Sequence, residues 1–243
     1  MKEPFLKRCD PRVKLLLATS LAIIVAVTQK TVVLEAALLP ALLWTFWAGF
    51  SPKEVFKKLL PLNFFLLLVL LTVPLTTPGT VLFRAGPLKV SQEGLVLAGL
   101  IFWKSNLILW ATITLLGTSS IFSLAHALHH LRVPGKLVQL LFFTFRYLDL
   151  LKREYHRLWE AALLRGFVPK TNLHTYRTMA YLTGSLLVRS YDRSQRIYEA
   201  MLCRGFEGNF PVYRHFSLGR LDLFFGLFWG LYLLTLACWT YLG

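Results

Sequence analysis

Two arginines carry the most specific chemistry in this chain. Arg165 lies in EAALLRGF at 160–167 and Arg204 in EAMLCRGF at 199–206, 204 − 165 = 39 residues later. Six of the eight positions match, and the preceding residues run parallel, Arg157-Leu158-Trp159 against Arg196-Ile197-Tyr198. A guanidinium presents a planar fork of donors that suits carboxylates and carbonyls. The Gly after each Arg suits the left-handed C′ position of a helix. Arg165 and Arg204 then become C-caps, and Phe167 and Phe206 the C″ residues packing back on Ala162 and Met201. Glu160 follows Arg157 by three residues and Glu199 follows Arg196 by three, which predicts a same-face ion pair before each helix end. Stopping a helix needs only the Gly. A repeated tip (Glu160, Ala161, Arg165 and Gly166; Glu199, Ala200, Arg204 and Gly205) is what a subunit needs to touch two equivalent sites on a symmetric partner.

Other groups could do chemistry but point less firmly to it. His126, His129 and His130 in HALHH have the i, i+3, i+4 spacing that can chelate Zn, Ni or Co from one helix face. No Cys, Asp or Glu lies near them, so packing at a membrane interface is the expected role and no metal site is assigned. Glu35 and Lys104 fall within apolar stretches; they are expected to pair structurally, or Glu35 sits near the outer headgroups one turn past Lys30. Paired carboxylates, a Ser/Lys dyad or a His cluster at matching depth, as an intramembrane hydrolase needs, are missing from the sequence, and so is G-x-x-x-x-G-K-[ST] for nucleotide. Cys9 and Cys203 are expected on the reducing side and Cys238 inside the last span, with no C-x-x-C spacing and no disulfide expected.

The elements that position these residues follow from composition. Of 243 residues, 56% are hydrophobic and 14% aromatic, and the charges are clustered. That is an all-α polytopic membrane protein. Five stretches, 13–28, 32–50, 61–83, 94–117 and 221–243, approach the ~20 residues that cross hydrocarbon as a helix, the first being the shortest. No small-residue cleavage site follows it, so it is not read as a signal peptide. Lys2, Lys7, Arg8, Arg12 and Lys14 precede or open the first span, Lys53, Lys57 and Lys58 follow the second, and 118–220 holds fifteen Lys/Arg against six Asp/Glu. The positive-inside rule puts these segments and the N-terminus in the cytoplasm and Gly243 outside. The net charge of +15 then reflects topology and anionic lipid rather than nucleic acid, for which no motif is present. Within 118–220, residues 136–165 carry no Gly or Pro and predict one long helix; a second begins near 171–175 and runs to Arg204. The organisation is a membrane bundle of about four spans at 1–117, a cytoplasmic coupling-helix region at 118–220, and a C-terminal span at 221–243.

On these residues the chain resembles the transmembrane coupling subunit of energy-coupling factor (ECF) transporters, of the CbiQ/NikQ, EcfT-like type. The resemblance rests on Asp10-Pro11-Arg12-Val13-Lys14-Leu15 before the first span, Val133-Pro134 followed by Phe145-Arg146-Tyr147, and the paired Arg-Gly tips, and it covers nearly the whole length. Family tips are usually Ala-Arg-Gly; Leu164 and Cys203 replace that Ala and make these tips bulkier. Gly205-Phe206-Glu207-Gly208 is similar to the wording of the metal-uptake branch. The resemblance implies a cell (inner) membrane protein of a prokaryote. Two copies of a cytoplasmic ABC ATPase (CbiO-like) would bind and hydrolyse ATP, and a separate membrane subunit (CbiM/NikM-like) would capture cobalt or nickel. A small accessory membrane subunit is compatible with it. This chain would transmit motion between them, binding no cofactor itself and catalysing nothing.

A second reading is the permease of an ordinary ABC importer, since Glu160-Ala161-Ala162-x-x-x-Gly166 fits the start of an EAA loop. The Ile-x-Leu-Pro expected after that Gly is absent, and such permeases carry one loop per chain. A third reading is a membrane enzyme or scaffold without an ATPase partner.

Overall fold

The computed structural model describes residues 5–85, 88–131, 133–208 and 219–242. Its elements are α1 (Phe5–Arg8), α2 (Pro11–Val27), α3 (Thr31–Ala48), α4 (Pro52–Thr76), β1 (Val81–Ala85), β2 (Leu88–Ser91), α5 (Gln92–Leu116), α6 (Ile121–His130), α7 (Gly135–Leu164), α8 (Leu173–Leu202) and α9 (Arg220–Leu242). The protein is an all-α polytopic membrane protein with one small hairpin. Among the described residues, four helices are long and apolar enough to cross a membrane: Thr31–Ala48, Lys53–Thr76, Gln92–Leu116 and Arg220–Thr240. The fifth expected span, α2, has seventeen residues, about 25 Å of helix, short of the ~30 Å hydrocarbon core.

The third expected span, 61–83, is displaced. Its helix starts nine residues earlier and ends at Thr76, and Val81 to Ala85 pair antiparallel with Leu88 to Ser91. Ser51 sets the start: its hydroxyl accepts from the Glu54 amide, with Pro52 in the first turn. Lys53, Lys57 and Lys58 therefore ride on the first turns of α4 rather than in a loop, and Lys58 Nζ lies 4.5 Å from the Phe50 ring centroid. Thr77 ends the helix in extended backbone.

The chain divides into two units, Met1–Ala127 with Phe216–Gly243, and Leu128–His215. In the first, α2 packs on α5 and α9, α3 on α5 and α9, and α4 on α5. Its core joins Leu17, Leu21 and Val25 of α2 to Val33, Ala37 and Trp44 of α3, Leu107, Ala111 and Leu115 of α5, and Phe225, Trp229 and Leu233 of α9. The Trp44 and Trp229 rings meet edge to face at 5.2 Å. Two part-buried polar tips find partners within the bundle, Trp110 Nε1 donating to Thr45 Oγ1 at 2.8 Å and Tyr232 Oη to the Ala36 carbonyl at 2.9 Å, whereas the buried indole N–H groups of Trp44 and Trp229 have none among the described residues. In the second unit α7 packs against α8, each thirty residues long.

Candidate functional site

The two repeated phrases form the same structure. At the end of α7 the Gly166 amide donates to the Leu163 carbonyl (2.9 Å) and the Phe167 amide to that of Ala162 (3.1 Å). At the end of α8 the Gly205 amide donates to Leu202 (3.0 Å) and the Phe206 amide to Met201 (3.0 Å). This is the Schellman pattern in both copies, and it makes Arg165 and Arg204 the C-caps. Gly166 and Gly205 have φ of +83° and +77°, the left-handed conformation that a side chain resists. Nothing lies within 4 Å of where their Cβ atoms would be, so backbone conformation and not crowding selects glycine.

The tips differ beyond the cap. Phe167 is 8% exposed and its ring packs edge-on against Trp159 at 5.7 Å and near His174 at 6.3 Å. α8 starts almost at once: Asn172 Oδ1 accepts from the Thr175 amide (2.9 Å), and Thr175 Oγ1 accepts from the Lys170 amide (3.0 Å). The second tip is followed by Gly208 at φ +89°, whose carbonyl accepts from Gln139 Nε2 of α7 at 3.1 Å. Phe206 is half-buried.

Glu160, Ala161, Arg165, Gly166, Glu199, Ala200, Arg204 and Gly205 are all exposed. No carboxylate among the described residues engages either Arg165 or Arg204. Exposed apolar residues flank them in sequence: Leu164, 90% exposed, Val168 and Leu173 at the first tip, and Leu202 at the second. Each of these arginines caps the negative end of a helix, with its guanidinium donors directed to no carboxylate among the described residues.

The ion pairs expected just before the tips do not form. Arg157 Nη1 turns back one helical turn to Glu154 Oε2 (3.7 Å) rather than forward to Glu160, and Glu199 has no ion pair with Arg196. Arg189 of α8 decides the matter by donating to Glu154 Oε1 at 2.8 Å, which draws that carboxylate to the α7/α8 contact and makes it the better partner for Arg157 as well. The Arg189 hydrogen bond holds the Glu154 carboxyl below its ordinary range.

Glu35 and Lys104 do not pair either. Glu35 is exposed, and Lys104 Nζ donates to the Ala26 carbonyl in the last turn of α2 at 3.1 Å; an unpaired helix-end carbonyl accepts a cation as a carboxylate would. On α6, His126 is 8% exposed while His129 and His130 are exposed with ring centroids 5.9 Å apart. The described residues contain no group of three His, Cys, Asp or Glu side chains placed to hold a metal ion.

One cation counted above as a topological charge has a different position. Lys14 is 1% exposed, on the inward stripe of α2 with Leu17, Ala18, Leu21 and Val25, and Asp10 beside it is 5% exposed. The signal was present in the spacing, since 14, 18, 21 and 25 repeat at helical period.

Comparison with known proteins points one way. The family profile described as CbiQ, cobalt transport protein, matches residues 2–215. The energy-coupling factor transporter transmembrane protein EcfT of Heliobacterium modesticaldum is 27% identical over 216 residues, covering 83% of this chain and 79% of that one. EcfT of Listeria innocua is 27% identical, covering 84% and 81%. The nickel permease LarQ of Lactiplantibacillus plantarum is 29% identical, covering 84% of this chain and 68% of that protein.

Proposed function

The chain belongs to the CbiQ cobalt transport protein family, and on that premise we propose that it is the transmembrane coupling component of an energy-coupling factor importer for cobalt or nickel ions. Its N-terminus and the α7/α8 unit face the cytoplasm, where two CbiO-like ATPase subunits bind and hydrolyse ATP. A CbiM/NikM-like membrane subunit captures the ion, and the metal is cargo that this chain need not touch. The observation that carries the reading is the pair of identically capped helix ends, 39 residues apart in sequence, each presenting an exposed arginine with no carboxylate partner among the described residues. Two such tips suit two copies of one ATPase, one tip to a copy. The names of the relatives, EcfT and the nickel permease LarQ, support the transporter class and the ion.

In this mechanism each guanidinium enters a groove on one ATPase and makes charge-assisted bonds to carboxylates or carbonyls. Losing one such contact costs about 1.5–3 kcal/mol and leaves the other tip engaged. The test is metal uptake and ATPase co-purification for Arg165→Ala, Arg204→Ala and the double change, with membrane expression measured alongside. Single changes weaken coupling, the double change abolishes it, and lysine restores only part because it lacks the planar fork. A well-expressed double variant that still bound its ATPases and transported normally would overturn the assignment.

A further inference from the structure

The two-helix unit is an insertion, since the chain leaves the first unit after Ala127 and returns to it at Phe216. Within the first unit, the residues flanking those departures are bonded to a single stretch, residues 10–14, from the opposite end of the sequence. At the outgoing side, Lys14 Nζ donates to Thr118 Oγ1 and Ser119 Oγ, each at 3.2 Å. Thr118 Oγ1 in turn donates to the Leu115 carbonyl (2.9 Å), so the ammonium sits at the negative end of α5. At the returning side, one carboxylate serves two helix starts. Asp222 Oδ1 accepts from the Asp10 amide (2.8 Å) and Oδ2 from the Gly219 amide (3.1 Å). Gly219 is the residue before α9 and Asp222 its third residue, so the second bond is one half of a capping box. Asp10 itself caps α2 through the Arg12 amide (2.9 Å).

Stability alone is a poor account of this arrangement. The apolar stripe of α2 already joins it to α5 and α9, and burying the Lys14 ammonium against two hydroxyls carries a desolvation cost that an apolar residue of the same volume would not. What apolar packing lacks is direction: it resists separation but tolerates sliding and rotation of one helix end past another. Hydrogen bonds to Lys14 and Asp222 fix register where three helix termini of the first unit meet, at the stretches of chain that lead to and from the inserted unit.

We propose that Asp10, Lys14 and Asp222 are positioning residues that anchor both chain connections of the two-helix unit, so that movement imposed on the Arg-Gly tips reaches the membrane bundle instead of being lost at the connections. This rests on the coupling function proposed above. The test uses the whole complex, with its ATPases and membrane substrate subunit, in proteoliposomes supplied with Co2+ or Ni2+. Subunit composition, ATPase rate, thermal stability and ions accumulated per ATP hydrolysed are measured for the unmodified complex and for Lys14→Met and Asp222→Asn. In variants that assemble and hydrolyse ATP normally, ions per ATP falls by about fivefold or more, the lower end of ordinary inter-site coupling, and Lys14→Arg recovers part of it. If Lys14→Met does not assemble, Thr118→Val with Ser119→Ala removes the acceptors and carries the same expectation. An unchanged ratio in intact complexes, or a fall in uptake and ATPase together in proportion to lost complex, overturns the anchor and leaves the coupling function standing. An unmodified complex that binds no ATPase, or accumulates neither ion, overturns the coupling function and the anchor with it.

Discussion

Alanine at Gly166, Gly205 and Gly184 adds the same methyl group in three places with opposite expected consequences. None of the three has a heavy atom within 4 Å of the new Cβ, so contact with neighbours drops out. At Gly166 and Gly205, with φ of +83° and +77°, the methyl group meets a left-handed backbone and costs about 1–2 kcal/mol. Gly184 lies inside α8 without a positive φ; there alanine gains roughly 0.5–1 kcal/mol by removing backbone freedom from the unfolded chain. Amide hydrogen exchange reads both effects. The Phe167 and Phe206 amides close the caps on Ala162 and Met201, and their exchange should rise about 5- to 30-fold in the respective variants. Amides around Gly184 should slow by about two- to fivefold in Gly184→Ala. Gly166→Asn should cost less than Gly166→Val, because Asn tolerates the left-handed region and a β-branched residue does not. Equal costs for Asn and Val, or changes of the same sign at Gly166 and Gly184, would refute the cap argument.

Two further outcomes follow from groups outside the spans. The Glu154 carboxyl is held below its ordinary range, chiefly by Arg189; a depressed carboxylate contributes stability that is fully present above its unfolded pKa of about 4.3 and is lost as pH falls through the lower folded value. Spin-label distances between α7 and α8 should hold steady from neutral pH down to about that value and broaden below it, and Glu154→Gln should be broad throughout; an acid response identical in the two proteins refutes the pairing. Burial, followed by the negative charge of Asp222, pushes the Cys9 thiol up to about 11, whereas Cys203 is exposed. A water-soluble maleimide at pH 8 should label Cys203 and spare Cys9, and equal rates would contradict the buried N-terminal cluster.

What was legible in the sequence was what is local. A Gly after an apolar helical run marks a C′ position whatever the surroundings, so both tips and both long helices follow from spacing alone. The hairpin was passed over because Val81-Leu82-Phe83 restores hydropathy after Thr76-Thr77-Pro78-Gly79-Thr80, although the Pro78-Gly79 pair was a readable turn signal. The Ser51-Pro52-x-Glu54 start of α4 was a readable cap that the search for hydrophobic length passed over. The ion pairs failed for another reason: Arg157 has an acid one turn away on either side, and the choice is made by Arg189 from a different helix. Lys104 likewise chose a backbone carbonyl, an acceptor that every residue carries and no motif marks. The anchor at residues 10–14 depends on partners more than a hundred residues away in sequence, so only the inward position of Lys14 was open to inspection.

Thirty residues of continuous helix in α7 and again in α8 make two arms, each about 45 Å long at 1.5 Å per residue. Leverage follows from that length: tilting such an arm by roughly 10° about one end sweeps the other through roughly 8 Å, more than a full helical pitch of about 5.4 Å. Stroke gained this way is traded against force, because the same length lets a small load at the tip exert a large torque at the root. On the coupling function proposed above, the place where such an arm is most exposed to failure is its fulcrum and any compliant point along its shaft, and the exposed Gly184, twelfth of the thirty residues of α8, is such a point: a stiffer residue there would trade compliance for stroke.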